Sequence, residues 1–299
     1  MSGSCLIPNT ETRLAIIQEN TRTEVVARKN KKKRKPTLTA KTSDKHDLYQ
    51  RSVQEPSADI TFIQRRFHKR NGRKAFVLRE DFCGTALMCA EWVRGKPMHT
   101  AHGLDLDQQT LDWGQEHNIT PLADDAKRVY LYRRNVLSNI NTKVDATCAF
   151  NFSYCIFKDR HLLLNYCRSA RRGLVDDGGL FLDICGGLEL GDEITERTKK
   201  GRGVTYVWDQ KPYNPINGHA VRHIHFEFSD GTKKKKAFTY DWRLWSLPEL
   251  RDILTEAGFR HVEVYWEGND GTGNGNGIFK RRLVAEEETA WIAYVIGWR

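Results

Sequence analysis

The chain has no apolar run approaching the roughly 18–20 residues that cross a bilayer, so nothing in it reads as a membrane-spanning helix. An apolar core near the N-terminus is also missing; Glu11 and Glu19 stand there instead. That argues against both a secretory signal and a transit peptide. Among the seven cysteines, at 5, 83, 89, 148, 155, 167 and 185, there is no C-x-x-C pair. Their number is odd and several sit in apolar patterns. They read as reduced, mostly buried thiols of a nuclear or cytoplasmic protein. The N-x-S/T matches at Asn118 and Asn151 then carry no sugar. His219, His223 and His225 invite a metal reading, and His223 and His225 would share a strand face. No Cys, Asp or Glu is spaced to complete such a site, so no metal is expected.

What is present suits a packed core. The chain has 299 residues, 39% of them hydrophobic, enough for one large α/β domain with insertions or two small domains. The net charge of +10 is unevenly placed. Residues 1–45 hold eleven Lys or Arg against four acids, a net +7 that leaves only +3 for residues 46–299. The run Arg28-Lys-Asn-Lys-Lys-Lys-Arg-Lys35 repels itself and cannot bury a core, so 1–45 is expected to be a disordered basic tail. Lys31–Lys35 has the form of a nuclear import signal. A solvated tail, or one that attracts nucleic acid through phosphate neutralisation, fits the same residues.

Beyond the tail, apolar residues at 48, 53, 60, 63 and 67 mark helical turns broken near Pro56. Strands are expected at Ala75–Leu78, Thr100–Leu104, Val129–Tyr132, Ala146–Phe150 and Leu180–Ile184. Helices Thr85–Val93, Gln108–His117 and one capped by Asp159 lie between them. Asp176-Asp-Gly-Gly179 reads as the turn into the fifth strand. This alternation implies a parallel sheet with right-handed crossovers. Residues 201–245 change character: strands Val204–Trp208, Ala220–Phe228 and Lys233–Tyr240, with a hairpin signal at Asp230-Gly231, suggest an antiparallel insertion rich in aromatics. Lys233–Lys236 would be a charged edge that discourages aggregation. Ser246 and Glu249 have capping-box spacing for a helix. Strands His261–Trp266 and Trp291–Gly297 follow, separated by a Gly/Asn-rich loop at 268–277.

The most informative stretch is Val77-Leu-Arg-Glu-Asp-Phe-Cys-Gly-Thr-Ala86. An apolar entry leads to an acid, a Cys-Gly-Thr turn and an apolar helix. Asp105 follows Glu80 by 25 residues, in Gly103-Leu-Asp-Leu-Asp107. Strand, small-residue turn, helix, second strand and terminal carboxylate are the layout of a nucleoside-binding βαβ unit, whose carboxylate accepts from the ribose hydroxyls. The turn is not G-x-G-x-x-G, so a pyrophosphate dinucleotide is not the favoured ligand.

Here the sequence resembles the class I S-adenosylmethionine-dependent methyltransferases, in order from about Asp47 to the C-terminus. Their first motif is an acid followed by G-x-G-x-G, a register that gives Glu80, Phe82, Gly84 and Ala86. The resemblance implies a Rossmann-like sheet of seven strands, six parallel and the last antiparallel, with S-adenosyl-L-methionine as cofactor. It places Glu80 at the methionine amino group, Cys83, Gly84, Thr85 and Ala86 at the helix start, and Asp105 with Leu106 at the ribose. Asn135-Val136 falls in the adenine slot, and Tyr49 in a leading segment that packs over the cofactor. Asn151-Phe-Ser-Tyr154 stands where some N-methyltransferases carry Asn-Pro-Pro-Tyr, making Asn151 and Tyr154 the acceptor-side pair. Tyr206, Trp208, Trp242 and Arg243 of the insertion would bind the methyl acceptor. An in-line methyl displacement needs no metal and no nucleophile triad, only alignment in a dry pocket. A small molecule or single side chain fits such a lid; a nuclear RNA or protein substrate is the rival. The lost glycines also allow a methyltransferase-like binding protein without catalysis.

Overall fold

The computed structural model describes residues 37–271, 274–286 and 288–299. The basic run at 28–35 and Cys5 lie outside the described residues. Two helices lead, α1 (Lys45–Val53) and α2 (Pro56–Asn71), broken at the expected proline, which opens α2. Asp44 caps α1 by accepting from the backbone N–H of His46 and Asp47 at 2.7 and 3.0 Å. A boundary at residue 45 therefore needs correction. The Leu38 amide donates to the Arg202 carbonyl at 3.0 Å and the Ala40 amide to Thr232 Oγ1 at 2.9 Å, so residues from 38 onward dock on the folded body.

The main sheet begins with β1 (Val77–Asp81), α3 (Leu87–Val93), β2 (Thr100–Asp105), α4 (Gln108–Gly114) and β3 (Val129–Arg133). It continues through β4 (Val144–Ala149), α5 (Arg160–Gly173) and β5 (Leu174–Gly186). The inserted strands are β6 (Ile194–Lys199), β7 (Val204–Gln210), β8 (His219–Phe228) and β9 (Lys233–Arg243). The chain then returns to the main sheet with α6 (Leu247–Glu256), β10 (His261–Asn269), β11 (Gly275–Arg281) and β12 (Trp291–Trp298). The sheet order is β11-β10-β12-β5-β4-β1-β2-β3. β1 to β5 pair in parallel, β12 runs antiparallel to β5, and β10 antiparallel to β12. Six strands thus share one direction and β12 opposes them, as the resemblance implied.

Several local expectations change. The sheet has eight strands, because the end of the Gly/Asn-rich 268–277 segment, from Gly275, opens a strand β11 that pairs with β10. Asp176-Asp-Gly-Gly179 is not a turn between elements. The β4–β5 register jumps from Val144–Leu174 to Ala146–Gly179, and the extra residues bulge out of a single long strand. The insertion is a four-stranded antiparallel sheet that starts at Ile194, not 201, because Ile194–Lys199 alternates against β7. The helix expected to reach His117 changes at Gln115 into a wider π turn through Ile119.

Two apolar clusters flank the main sheet. One holds Phe67, Leu78, Trp92, Phe181 and Trp298; the other joins α5 and α6 to the inner face of the insertion through Trp208, Phe226 and Trp242. The insertion is thereby fastened over the C-terminal ends of the parallel strands, the side on which open α/β sheets bind ligands. Below that end lies a buried ion pair. Arg79 Nε donates to Asp81 Oδ1 at 2.7 Å, Tyr166 Oη donates to Asp81 Oδ2 at 3.0 Å, and Arg79 Nη2 donates to the Val136 carbonyl at 2.7 Å. Removing one partner of such a pair costs about 3–5 kcal/mol, so it fixes the base of the site. All six described cysteines are free, five of them buried. No helix among the described residues is long and apolar enough to cross a membrane.

Candidate functional site

The site is built on the turn after β1. Phe82, Gly84 and Ala86 all take left-handed backbone, with φ of 57°, 51° and 54°. These are the three positions that the motif register assigns to glycine. The backbone keeps the motif's conformation although two of its glycines are gone, at a cost of about 1–3 kcal/mol for each non-glycine residue. Phe82 is held by rings on the core side, with centroids 5.9 Å from Phe157 and 6.0 Å from Tyr166. Ala86 is fully buried.

Gly84 N–H donates to Asp105 Oδ2 at 2.8 Å, and Asp107 N–H donates to Asp105 Oδ1 at 2.9 Å. One carboxylate at the tip of β2 therefore holds both loops, and each oxygen keeps a lone pair for a ligand. Glu80 is buried at the other side of the turn. Its Oε2 accepts from the Cys89 amide at 3.1 Å and the Cys89 thiol at 3.0 Å. Burial pushes the Glu80 carboxyl up to about 7 against those two bonds, and the charge of Asp105 adds to the rise. Gln50 of α1 donates to Thr85 Oγ1 at 2.7 Å, so the leading helix is latched onto the turn.

Two adjoining cavities result. The larger, about 320 Å³, is lined by Glu80 to Thr85, Asp105, Asp107 and Thr110, with His46, Tyr49, Phe238 and Tyr240 above. Its size falls in the range of small-ligand pockets. The smaller, about 40 Å³, lies under the insertion between Trp208, Tyr240, Trp242, Phe152, Asp59 and Asp183. Tyr49, Asp59, Phe150, Asn151 and Tyr240 line both. Tyr49 Oη and Tyr240 Oη stand 3.1 Å apart, joining α1 to β9 across the boundary.

Of the residues singled out from sequence, Tyr49, Glu80, Cys83, Gly84, Thr85, Asp105 and Asn151 line the larger cavity, and Trp208 and Trp242 the smaller. Ala86 supports the turn from inside. The others lie elsewhere. Leu106 points to solvent, 61% exposed. Asn135 is exposed and closes its own turn, its Oδ1 accepting from Leu137 N–H at 2.9 Å, while the Val136 side chain is buried in the core. Tyr154 is fully buried and donates to the Asp183 carbonyl at 2.8 Å. The reason is local: Asn151 and Phe152 both adopt left-handed φ, and the reversal carries Tyr154 inward. Tyr206 is buried beyond Trp208 on the same strand and lines neither cavity. Arg243 falls on the face of β9 opposite Trp242. Its guanidinium lies 3.7 Å over Trp245 and donates to the Lys158 carbonyl and to Glu249.

Asp59 and Asp183 are the residues that sequence reading missed. Asp183 is a lone carboxylate inside the strand Leu180–Ile184, and that isolation was the available signal. Its oxygens accept from Asn151 N–H at 2.7 Å and Phe152 N–H at 2.9 Å. Burial pushes it up to about 7; these amides oppose the rise and the charge of Asp59 adds to it. Asp59 reaches the cavity from α2 and accepts from Tyr294 Oη. The three histidines of β8 do not converge. His219 pairs with Asp241, His223 with Thr239 and His225 with Asp209. Among the described residues no group of three His, Cys, Asp or Glu could hold a metal ion.

This architecture is the fold of the class I S-adenosylmethionine-dependent methyltransferases. No family model and no curated protein sequence matches the chain. Solved structures do. An S-adenosylmethionine-dependent methyltransferase from Clostridium acetobutylicum superposes with a TM-score of 0.60 at 16% identity, covering 84% of this chain and 96% of that one. An amino pentose methyltransferase from Micromonospora echinaspora, solved with the cofactor bound, gives 0.58 at 13% identity over 83% and 95%. A sugar N-methyltransferase from Streptoalloteichus gives 0.56 at 16% identity over 90% and 98%.

Proposed function

We propose that the protein is an S-adenosylmethionine-dependent methyltransferase acting on a small molecule or a single side chain. One observation carries the reading: the Asp105-clamped cleft opens through Tyr49, Asn151 and Tyr240 into a second, aromatic cavity beneath the insertion. A nucleoside site continuous with a dry acceptor site is what in-line transfer requires.

The residues fit the cofactor. The Asp105 lone pairs suit a ribose diol, as the βαβ layout requires. Glu80 suits an ammonium, which would draw its raised carboxyl back to the charged form. The left-handed turn at 82–86 brings backbone rather than side chain to the ligand. When bound, the cofactor supplies a sulfonium methyl whose S–C bond breaks with its electron pair left on sulfur. The chain's own contribution is placement. Gln50 and Tyr49 hold α1 down over the cleft, Asn151 presents its amide at the junction of the two cavities, and Trp208 and Trp242 exclude water from the acceptor side.

The small second cavity supports a small acceptor over a nucleobase. At roughly 10–15 Å³ per water by this measure, 40 Å³ holds about three waters' worth of ligand. Calorimetry with S-adenosylmethionine on the full chain is the deciding experiment. Saturable binding that Asp105→Ala removes supports the reading. Absence of binding by the wild-type chain ends it.

A further inference from the structure

The smaller cavity has an unusual character for so basic a chain. Glu55, Asp59 and Asp183 stand on its wall, and among the described residues its lining includes no Lys, Arg or His. The remaining wall is mostly ring surface. Tyr240 and Trp242 stack with centroids 4.5 Å apart, and Trp208 lies 6.2 and 6.4 Å from them. Aromatic faces present negative quadrupole charge, and carboxylates add to it, so both elements select cations and repel anions. The indole N–H of Trp208 is buried on this wall without a hydrogen-bond partner. An orphaned buried donor is costly unless a ligand atom accepts from it.

Resting on the methyl-transfer reading above, we propose that this cavity takes the acceptor as a cationic amine head group. A primary or secondary ammonium would sit among Trp208, Tyr240 and Trp242, neutralised by Asp59 and Asp183, with an oxygen of the same molecule accepting from Trp208.

The chemistry is consistent with that cargo. An ammonium has no free electron pair, so one proton must leave before methylation. Asp183 is fixed in place on the cavity wall by the Asn151 and Phe152 amides, and burial, which raises its carboxyl, makes it a stronger base for that proton than an ordinary aspartate. The pair freed on nitrogen forms the new N–C bond to the methyl group, and the pair of the broken S–C bond stays on sulfur. The product is an ammonium with one hydrogen replaced by methyl, and Asp183 gives its proton to solvent. Asp59, on the same wall, holds both the incoming and the departing cation.

The test is a titration of the full chain, with and without S-adenosylhomocysteine, followed by tryptophan fluorescence and proton NMR. The probes are ethanolamine and dimethylammonium as cations, acetate as anion and ethylene glycol as neutral control. Both amines should bind at least tenfold tighter than acetate and ethylene glycol. Asp59→Asn and Asp183→Asn should each weaken amine binding at least tenfold. Because Asp183 also anchors a turn, melting curves accompany its variant, and Asp59→Asn stands as the independent arm. Binding that ignores charge, amine binding that survives Asp59→Asn, or no amine binding in either condition overturns the proposal. Asp105→Ala should lose S-adenosylmethionine while keeping amine affinity. Failure of the wild-type chain to bind S-adenosylmethionine would remove the methyl-transfer reading and leave the amine result to be judged by these titrations.

Discussion

Gly84 N–H donates to Asp105 Oδ2 at 2.8 Å, so the carboxylate at the tip of β2 organises the turn that follows β1. Asp105→Ala removes this bond, the one from Asp107, and the acceptor for a ribose. Cofactor affinity should fall by about 1.5–3 kcal/mol, the scale of hydrogen bonds to a charged group. Isothermal calorimetry reads it directly, and equal affinity in the variant would place the nucleoside elsewhere.

The left-handed φ of 54° at buried Ala86 makes a second, conformational prediction. Ala86→Gly relieves strain and loses one buried methyl, two terms of about 1 kcal/mol that nearly cancel. Ala86→Val adds bulk to a closed site and a branched side chain to a left-handed residue, and should cost more than about 2 kcal/mol. Urea melts of the two variants separate these outcomes; a well-tolerated valine means that the turn is not held as described.

Glu80 and Asp183 both have carboxyls raised by burial to about 7, above their ordinary 4.5 and 3.8. Between about pH 4.5 and 7 the folded state then binds more protons than the unfolded one. Stability of the ligand-free protein should therefore decline as pH rises through that window. Glu80→Gln and Asp183→Asn should each flatten the decline. Chemical denaturation at pH 5, 6, 7 and 8 checks the slope, and an unchanged slope in both variants refutes the assignment.

Trp208 and Trp242 line the smaller cavity beneath the insertion and not the larger cleft. Replacing either by alanine should raise acceptor KM or lower kcat at least tenfold, with cofactor Kd changed less than about twofold. Loss of cofactor binding by both folded variants would reassign the insertion to the cofactor site.

The N-terminus divides into two parts. A chain beginning at residue 46 loses the Asp44 cap and the hydrogen bonds of Leu38 and Ala40, and should be less stable by about 2 kcal/mol or more than one beginning at 37. Melting temperatures decide this. Changing Lys31–Lys35 to alanine should leave stability alone and abolish nuclear enrichment of a fluorescent fusion; an unchanged distribution removes the import reading.

The parallel core is legible in the amino-acid order alone. The order of acid, Cys-Gly-Thr turn, apolar helix and Asp105 is local in the chain, and alternating strand and helix patterns with caps at Asp159 and Ser246 record their own boundaries. These signals depend on periodicity and on residues within a few positions, so they survive without coordinates. Which side chains line the two cavities came from the packing of distant elements. Tyr154 and Tyr206 have suitable chemistry, but two left-handed residues turn one inward and the strand carries the other past the cavity. Asn135 satisfies itself with Leu137. Asp59 and Asp183, distant in sequence and unremarkable by motif, meet because α2 and β5 converge below the inserted sheet. Facing across a cavity is a property of long-range packing, which brings together residues that no local pattern relates.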